Sequence, residues 1–260
     1  MAVGAMPVAP RQITVQHLMG TVISIDVRDM DVPAAAIDAA FAWLHEVDDR
    51  FSTYKPQSEI SLLGRGALTV EDCHPDLAEV LAICEEVRIK SGGAFNAWRA
   101  RVDGRLDPSG VVKGWAVDRA AAILEQAGAV NFCINAGGDV LARGVPEPGR
   151  KWRVGIRHPE APQSVATVLE VSNLAVATSG RYERGDHIID GRTGEPARGL
   201  LSLTVVGPRM TEADAYVTAG FAMGEPGIAW VATQMGYDAY GMTQNGRARY
   251  TRGLADLMSL

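Results

Sequence analysis

Apolar and polar positions alternate in two adjacent runs near the start of the chain, QITVQHL (Gln12 to Leu18) and TVISIDV (Thr21 to Val27), with Met19 and Gly20 between them. A period of two broken by a short turn is the pattern of a β-hairpin. From Pro33 the period lengthens. Ile37, Phe41, Leu44, Val47 and Phe51 recur at three- and four-residue steps, which predicts an amphipathic helix. PDLAEVLAICEEVRIKSGG carries a second helix ended by Gly92, and VVKGWAVDRAAAILEQAG a third, closed by Gly128 at its C-cap. The strand NFCINA follows directly. Beyond it the strand-like runs WRVGIR, ATVLEVS, LAVATS and LSLTVV are separated by loops rich in Gly and Pro. A helix in TEADAYVTAGFAMG (Thr211 to Gly224), another near GIAWVATQMG, and the runs YDAYGMT and RARYT complete the pattern. Strands broken by helices without a regular strand-helix repeat predict an α+β fold with a mixed sheet, laid out as a single domain over residues 1–260.

Composition narrows the partners. With 260 residues and 47% hydrophobic content the chain can bury a large core. A formal net charge of -6, a pI near 5.4 and no local Lys/Arg cluster argue against nucleic acid. Cys73, Cys84 and Cys133 are odd in number, widely spaced and in apolar surroundings, which reads as buried thiols in a reducing compartment. The opening MAVGAMPVAPRQ has no charged start, sustained apolar core or lipid-acceptor Cys, and no run reaches membrane-spanning length. The expectation is a cytoplasmic protein with no membrane insertion.

Common nucleotide signatures are missing: no GxGxxG follows a strand and no GxxxxGK[ST] loop occurs. There is no HExxH, and His17, His45, His74, His158 and His187 lack transition-metal spacing. What stands out is Asp214 and Thr218, an acid and a hydroxyl one helical turn apart in an otherwise apolar helix. Two readings are open. Thr211 can cap the helix while Asp214, three residues on, closes a capping box and Thr218 bonds back to a carbonyl. Alternatively both oxygens hold a hard cation such as Mg²⁺, which takes carboxylate, hydroxyl, carbonyl and water ligands around phosphates.

Eight segments in order favour the second reading. They are MGT (Met19 to Thr21), STYKPQSEIS, GGAFNAW (Gly92 to Trp98), DPSGVVKGWAVD (Asp107 to Asp118), NAGGDV, ATSGRYE, HIIDGRTGEP and ADAYVTAGFAMG. Together they resemble the FAD:protein FMN transferases, the ApbE family, over most of the chain from about Met19 to Gly224. Singly, segments such as GGD or TSG occur in many loops.

The resemblance implies a T-fold-like architecture in which FAD lies in a cleft between two lobes, and a Mg²⁺ site made by Asp214, Thr218 and the carbonyl of Gly110. It maps flavin-binding positions to Met19, Tyr54, Ala94, Phe95, Asn96, Asp107, Lys113 and Ile188, and implicates His187 with Asp214 in catalysis. Physical readings accompany these positions. Tyr54 can stack on a ring or pack in the core, and Lys113 can neutralise pyrophosphate or stay solvated. Gly137 and Gly138 permit close approach to a ligand or simply a tight turn, which Asp139 would cap. His187 beside Asp190 can accept a proton or be an ordinary strand-edge His. Asn96 departs from the Asp common at that position in the family, exchanging a charge for a group that both donates and accepts. The activity implied is Mg²⁺-dependent transfer of FMN from FAD to a Ser/Thr hydroxyl of a cytoplasmic acceptor flavoprotein, releasing AMP. An FAD pyrophosphatase yielding FMN and AMP, or a non-catalytic FAD-binding protein, would use the same residues.

Overall fold

The computed structural model describes residues 12–101, 103–185 and 187–259; the opening stretch up to residue 11, read above for the lack of a leader, lies outside them. The chain begins with the hairpin β1 (Gln12–Leu18) and β2 (Thr21–Val27), then runs through α1 (Ala34–Phe51), α2 (Glu59–Gly64), α3 (Pro75–Lys90) and α4 (Ser109–Gln126). Strands β3 (Phe132–Ala136), β4 (Asp139–Arg143), β5 (Trp152–His158), β6 (Ala161–Val171) and β7 (Leu174–Gly180) follow, then the short α5 (Arg181–Arg184), β8 (Ile189–Asp190) and β9 (Glu195–Pro196). The last part holds β10 (Leu200–Gly207), α6 (Met210–Met223), α7 (Pro226–Val231), β11 (Asp238–Thr243), β12 (Ala248–Tyr250) and β13 (Met258–Ser259).

The central sheet has eight strands in the order β1-β2-β3-β4-β7-β10-β11-β12, beside a three-stranded sheet β13-β6-β5 and the pair β8-β9. The fold is α+β as expected, but the sheet is not mixed. Every strand pairing among the described residues is antiparallel. Each connection between sheet neighbours, whether the Met19-Gly20 turn or the excursion through α1 to α4, brings the chain back in at the end where it left. Hydrophobic alternation carries no record of strand direction, so the pattern alone could not show this.

Period-two alternation divides the interior into two cores. Leu141, Ala175, Ala177, Leu203, Val205 and Ala239 face the large core shared with the helices, including Ile37, Phe41, Leu44, Val47 and Phe51 of α1. Their neighbours Val140, Ala142, Val176, Val206, Tyr240 and Met242 point the other way, against Trp152, Val154, Ile156, Leu169 and Val171 of the small sheet. The result is three layers, helices on sheet on sheet. α6 is buried on nearly every side because it packs at once against α4, α7, β7 and β10. That placement makes an acid on it unusual.

Of the cysteines only Cys84 is buried, where loss of solvent pushes its thiol up to about 12; Cys73 and Cys133 are half-buried. Among the described residues no helix is long and apolar enough to cross a membrane.

Candidate functional site

α6 starts without a cap of its own, since Arg209 at its N-cap makes no side-chain bond to it. Asp118 of α4 takes that role across the helix interface. Its carboxylate accepts from the backbone N–H of Met210 (3.0 Å) and Thr211 (2.8 Å) and from the Thr211 hydroxyl (2.6 Å). The capping box read for Thr211 and Asp214 therefore does not form.

Asp214 is instead turned into the protein, 4% exposed, against the first turns of α4. Its Oδ2 accepts from the Gly114 N–H at 3.0 Å, and its Oδ1 lies 3.6 Å from Lys113 Nζ. This approach depends on Gly114 having no side chain. A Cβ there would stand 2.4 Å from the Met210 carbonyl oxygen and 2.9 Å from Asp214 Cβ. The helix repeat assigns the Gly114 N–H to the Gly110 carbonyl, so Asp214 competes for that donor. Thr218 follows one turn later, and a Cβ on Gly110 would lie 3.1 Å from its Oγ1 and 3.0 Å from Phe95 Cε2. Asp214, Thr218, Gly110 and Phe95 thus converge at the start of α4.

Lys113 Nζ also contacts Asp139 Oδ2, a charge contact without hydrogen-bond alignment. Asp139 does not cap its turn; Asn135 does, its Oδ1 accepting from the Gly138 N–H at 2.9 Å. Asp139 is 2% exposed, and its Oδ1 accepts from the Thr178 N–H of β7 at 2.8 Å. Two buried acids therefore share one lysine. Burial drives the Asp214 carboxyl up to about 7 against the pull of the Lys113 ammonium, with the Asp139 charge adding to the push and the Gly114 N–H opposing it.

Around this centre the other positions fall into three groups. Gly137, at φ +66°, donates its N–H to the Val22 carbonyl at 2.9 Å and leaves no room for a Cβ beside Thr21 Oγ1. That seats the Gly-Gly-Asp turn on the hairpin turn carrying Met19, itself at φ +54° and packed partly on the main core. In the second group the Gly191 N–H donates to the Ala94 carbonyl at 2.9 Å, and a Cβ on Gly191 would come within 2.6 Å of Asn96 Cβ. The GGAFN strip and the HIIDG segment are therefore in contact. Ala94, Phe95 and Ile188 are buried and His187 is exposed, its Nδ1 3.2 Å from the Gly185 carbonyl oxygen. Asp190 is committed to Arg192 rather than to His187. Burial works against its charge, but hydrogen bonds from the Arg192 backbone and guanidinium hold its carboxyl below the usual carboxylate range.

The third group lies ahead of α4. Asp107 accepts from the Ser109 N–H at 3.0 Å and lies 3.6 Å from Arg101, which is within electrostatic reach of Tyr54. Tyr54 is not a core residue: it is 80% exposed on the turn after α1.

Asn96 Oδ1 accepts from the Trp98 N–H at 3.0 Å, closing a local turn. A carboxylate accepts that bond equally well. Asn96→Asp is expected to fold normally and to change any flavin affinity by no more than about 1 kcal/mol, read by fluorescence titration with FAD.

The roles of Gly114, Asp118 and Asp139 leave no signature in the sequence, although these residues lie within DPSGVVKGWAVD and NAGGDV. Among the described residues no group of three or more His, Cys, Asp or Glu is placed to hold a metal. A cation at Asp214 would draw on hydroxyl, carbonyl and substrate oxygens, which is the ligand set of a hard ion.

A three-layer antiparallel α+β core with a buried acid pair at a helix start defines the class of protein, and comparison with known proteins names it. The ApbE family model matches residues 19–103 and 97–240, and the chain belongs to that family. It is 32% identical over 151 residues to the FAD:protein FMN transferase of Escherichia coli K12, a stretch covering 54% of this chain and 43% of that protein. To the FAD:protein FMN transferase of Treponema pallidum it is 31% identical over 208 residues, 70% of this chain and 58% of the other. The matched stretches thus span about half the length of these relatives. Among solved structures, the flavin transferase ApbE from Vibrio cholerae aligns with TM-score 0.83 at 22% identity, covering 96% of this chain and 99% of that one. The ApbE protein of Thermotoga maritima aligns with TM-score 0.86 at 23% identity, over 96% and 100%. At such identities the structural likeness establishes the fold.

Proposed function

We propose that this protein binds FAD, cleaves its pyrophosphate in a Mg²⁺-dependent reaction and transfers FMN to a Ser or Thr hydroxyl of an acceptor flavoprotein, releasing AMP. The observation that carries the reading is the buried Asp214 carboxylate beside Thr218 and Gly110, in a chain of the ApbE family. A T-fold-like core with a cleft between two lobes belongs to the same reading.

The residues fit the cation. Asp214 supplies the charged oxygen, Thr218 the hydroxyl and Gly110 the carbonyl, whose helical donor, the Gly114 N–H, is shared with Asp214. Burial raises the cost of leaving the Asp214 charge without a counter-ion, so a divalent cation is favoured there. Bound at these oxygens, Mg²⁺ would act as a Lewis acid that neutralises charge on the pyrophosphate.

The chain's own groups do the rest. Met19, Tyr54, the Ala94 to Asn96 strip, Asp107 and Ile188 hold the flavin half, and the exposure of Tyr54 leaves its ring available for stacking. Lys113 and the N-terminal turn of α4 place positive charge toward the pyrophosphate. The acceptor hydroxyl oxygen forms a bond to the FMN phosphorus as the bond from that phosphorus to the AMP oxygen breaks. Its proton passes to His187 or to a nearby carboxylate. An exposed imidazole suits that role, because the acceptor arrives from solvent.

The test is incubation of the protein with FAD, Mg²⁺ and a candidate acceptor, followed by intact mass and nucleotide analysis. Transfer gives an acceptor heavier by one FMN moiety and AMP in equal amount. Free FMN with AMP would make the protein a pyrophosphatase, and bound, unchanged FAD would make it a binding protein.

A further inference from the structure

Lys113 is held from two sides. Its backbone sits at the start of the second turn of α4, whose position is set by the packing of Gly114 on Met210 of α6. Its ammonium reaches away from the helix to Asp139 Oδ2, while Asp214 Oδ1 lies farther off at 3.6 Å. Asp139 is itself immobilised. It opens β4, is almost completely buried, and is tied to β7 by the Thr178 N–H at 2.8 Å. The neighbouring Thr178 hydroxyl is in turn paired with Thr204 of β10 at 2.9 Å, so this part of the sheet is cross-linked around the acid. A long, flexible side chain that would otherwise sample many rotamers is thereby kept at the edge of Asp214.

We propose that Asp139 is a positioning residue that acts through Lys113, anchoring the ammonium beside Asp214 so that a cation can take Asp214 without displacing the lysine from the site. The inference rests on the FAD and Mg²⁺ reading above. Without the Asp139 anchor, the ammonium is drawn the short distance to Asp214, and it and the cation compete for the same carboxylate. With the anchor, the lysine keeps a partner of its own and remains available to the pyrophosphate.

Asp139→Asn is the discriminating variant because its amide oxygen can still accept the Thr178 N–H while the charge that holds Lys113 is gone. Its expected phenotype is a melting temperature close to wild type, a Mg²⁺ dissociation constant raised about tenfold by calorimetry without FAD, and a KM for FAD raised severalfold. In a Lys113→Met background, Asp139→Asn is expected to change the KM for FAD little further, since the group it acts through is already absent. Asp139→Asn with Mg²⁺ affinity and KM within twofold of wild type would overturn the proposal, as would effects of the two substitutions on KM that simply add. Wild-type protein that neither binds Mg²⁺ nor releases AMP from FAD would overturn the parent reading and this inference with it.

Discussion

Asp214→Ala is expected to lower AMP release from FAD by orders of magnitude while the protein stays folded. Under the proposed function it removes the one charged ligand of the cation and leaves Thr218 and a carbonyl, which hold a hard ion weakly. The fold should tolerate the loss. The Gly114 N–H still has the Gly110 carbonyl of the ordinary helix pattern as an acceptor, and a buried carboxylate that burial disfavours is gone. Asp214→Glu is a stricter probe. It keeps the charge but adds a methylene in a slot bounded by Gly114 and Lys113, so turnover should fall while excess Mg²⁺ restores part of it. Asp118→Ala should behave the opposite way. Losing the bonds to the start of α6 should cost about 1–2 kcal/mol, a few degrees of melting temperature at roughly 2–4 °C per kcal/mol, with AMP release little changed. Normal AMP release from Asp214→Ala would sink the cation reading.

These two aspartates also show what the sequence could and could not tell. Thr211 and Asp214 satisfy the local grammar of a capping box, yet the cap comes from Asp118, more than ninety residues earlier, so no local rule could find it. The α1 face was legible because burial on one side of a surface helix leaves a periodic trace: Ile37, Phe41, Leu44, Val47 and Phe51 are all buried. β4 left no such trace, since Asp139, Val140, Leu141 and Ala142 are buried on both faces of the sheet. The centre of the site was partly legible. Asp214 and Thr218 stood out as polar groups in an apolar helix, and family resemblance added Gly110 and Lys113. The contact between Lys113 and Asp139 was not legible, because it is made by the sheet's return through β4 rather than by spacing along the chain. The surroundings of Tyr54 and His187 were likewise settled by tertiary structure, which leaves both exposed.

The second large effect is structural. Gly114→Ala is expected to lower stability by about 2 kcal/mol or more, although alanine is the better helix former by about 1 kcal/mol. The added Cβ would meet the Met210 carbonyl oxygen at 2.4 Å, a backbone atom that cannot rotate away, and Asp214 Cβ at 2.9 Å. Relief requires α4 and α6 to move apart, and that motion also draws the Gly114 N–H and Lys113 away from Asp214. Stability and Mg²⁺ affinity should therefore fall together. Gly110→Ala separates the two effects. The nearest atoms to its Cβ would be side-chain atoms, Phe95 Cε2 at 3.0 Å and the Thr218 methyl and hydroxyl at 3.1 Å, which can yield by a few tenths of an ångström. Its melting temperature should stay near wild type because helix propensity offsets the crowding, while displacement of Thr218 should weaken Mg²⁺ binding. Thermal melts and calorimetric titration of both variants check the pair. A Gly114→Ala protein that melts at or above wild type would show that the two helices are not held at the distance on which this site depends.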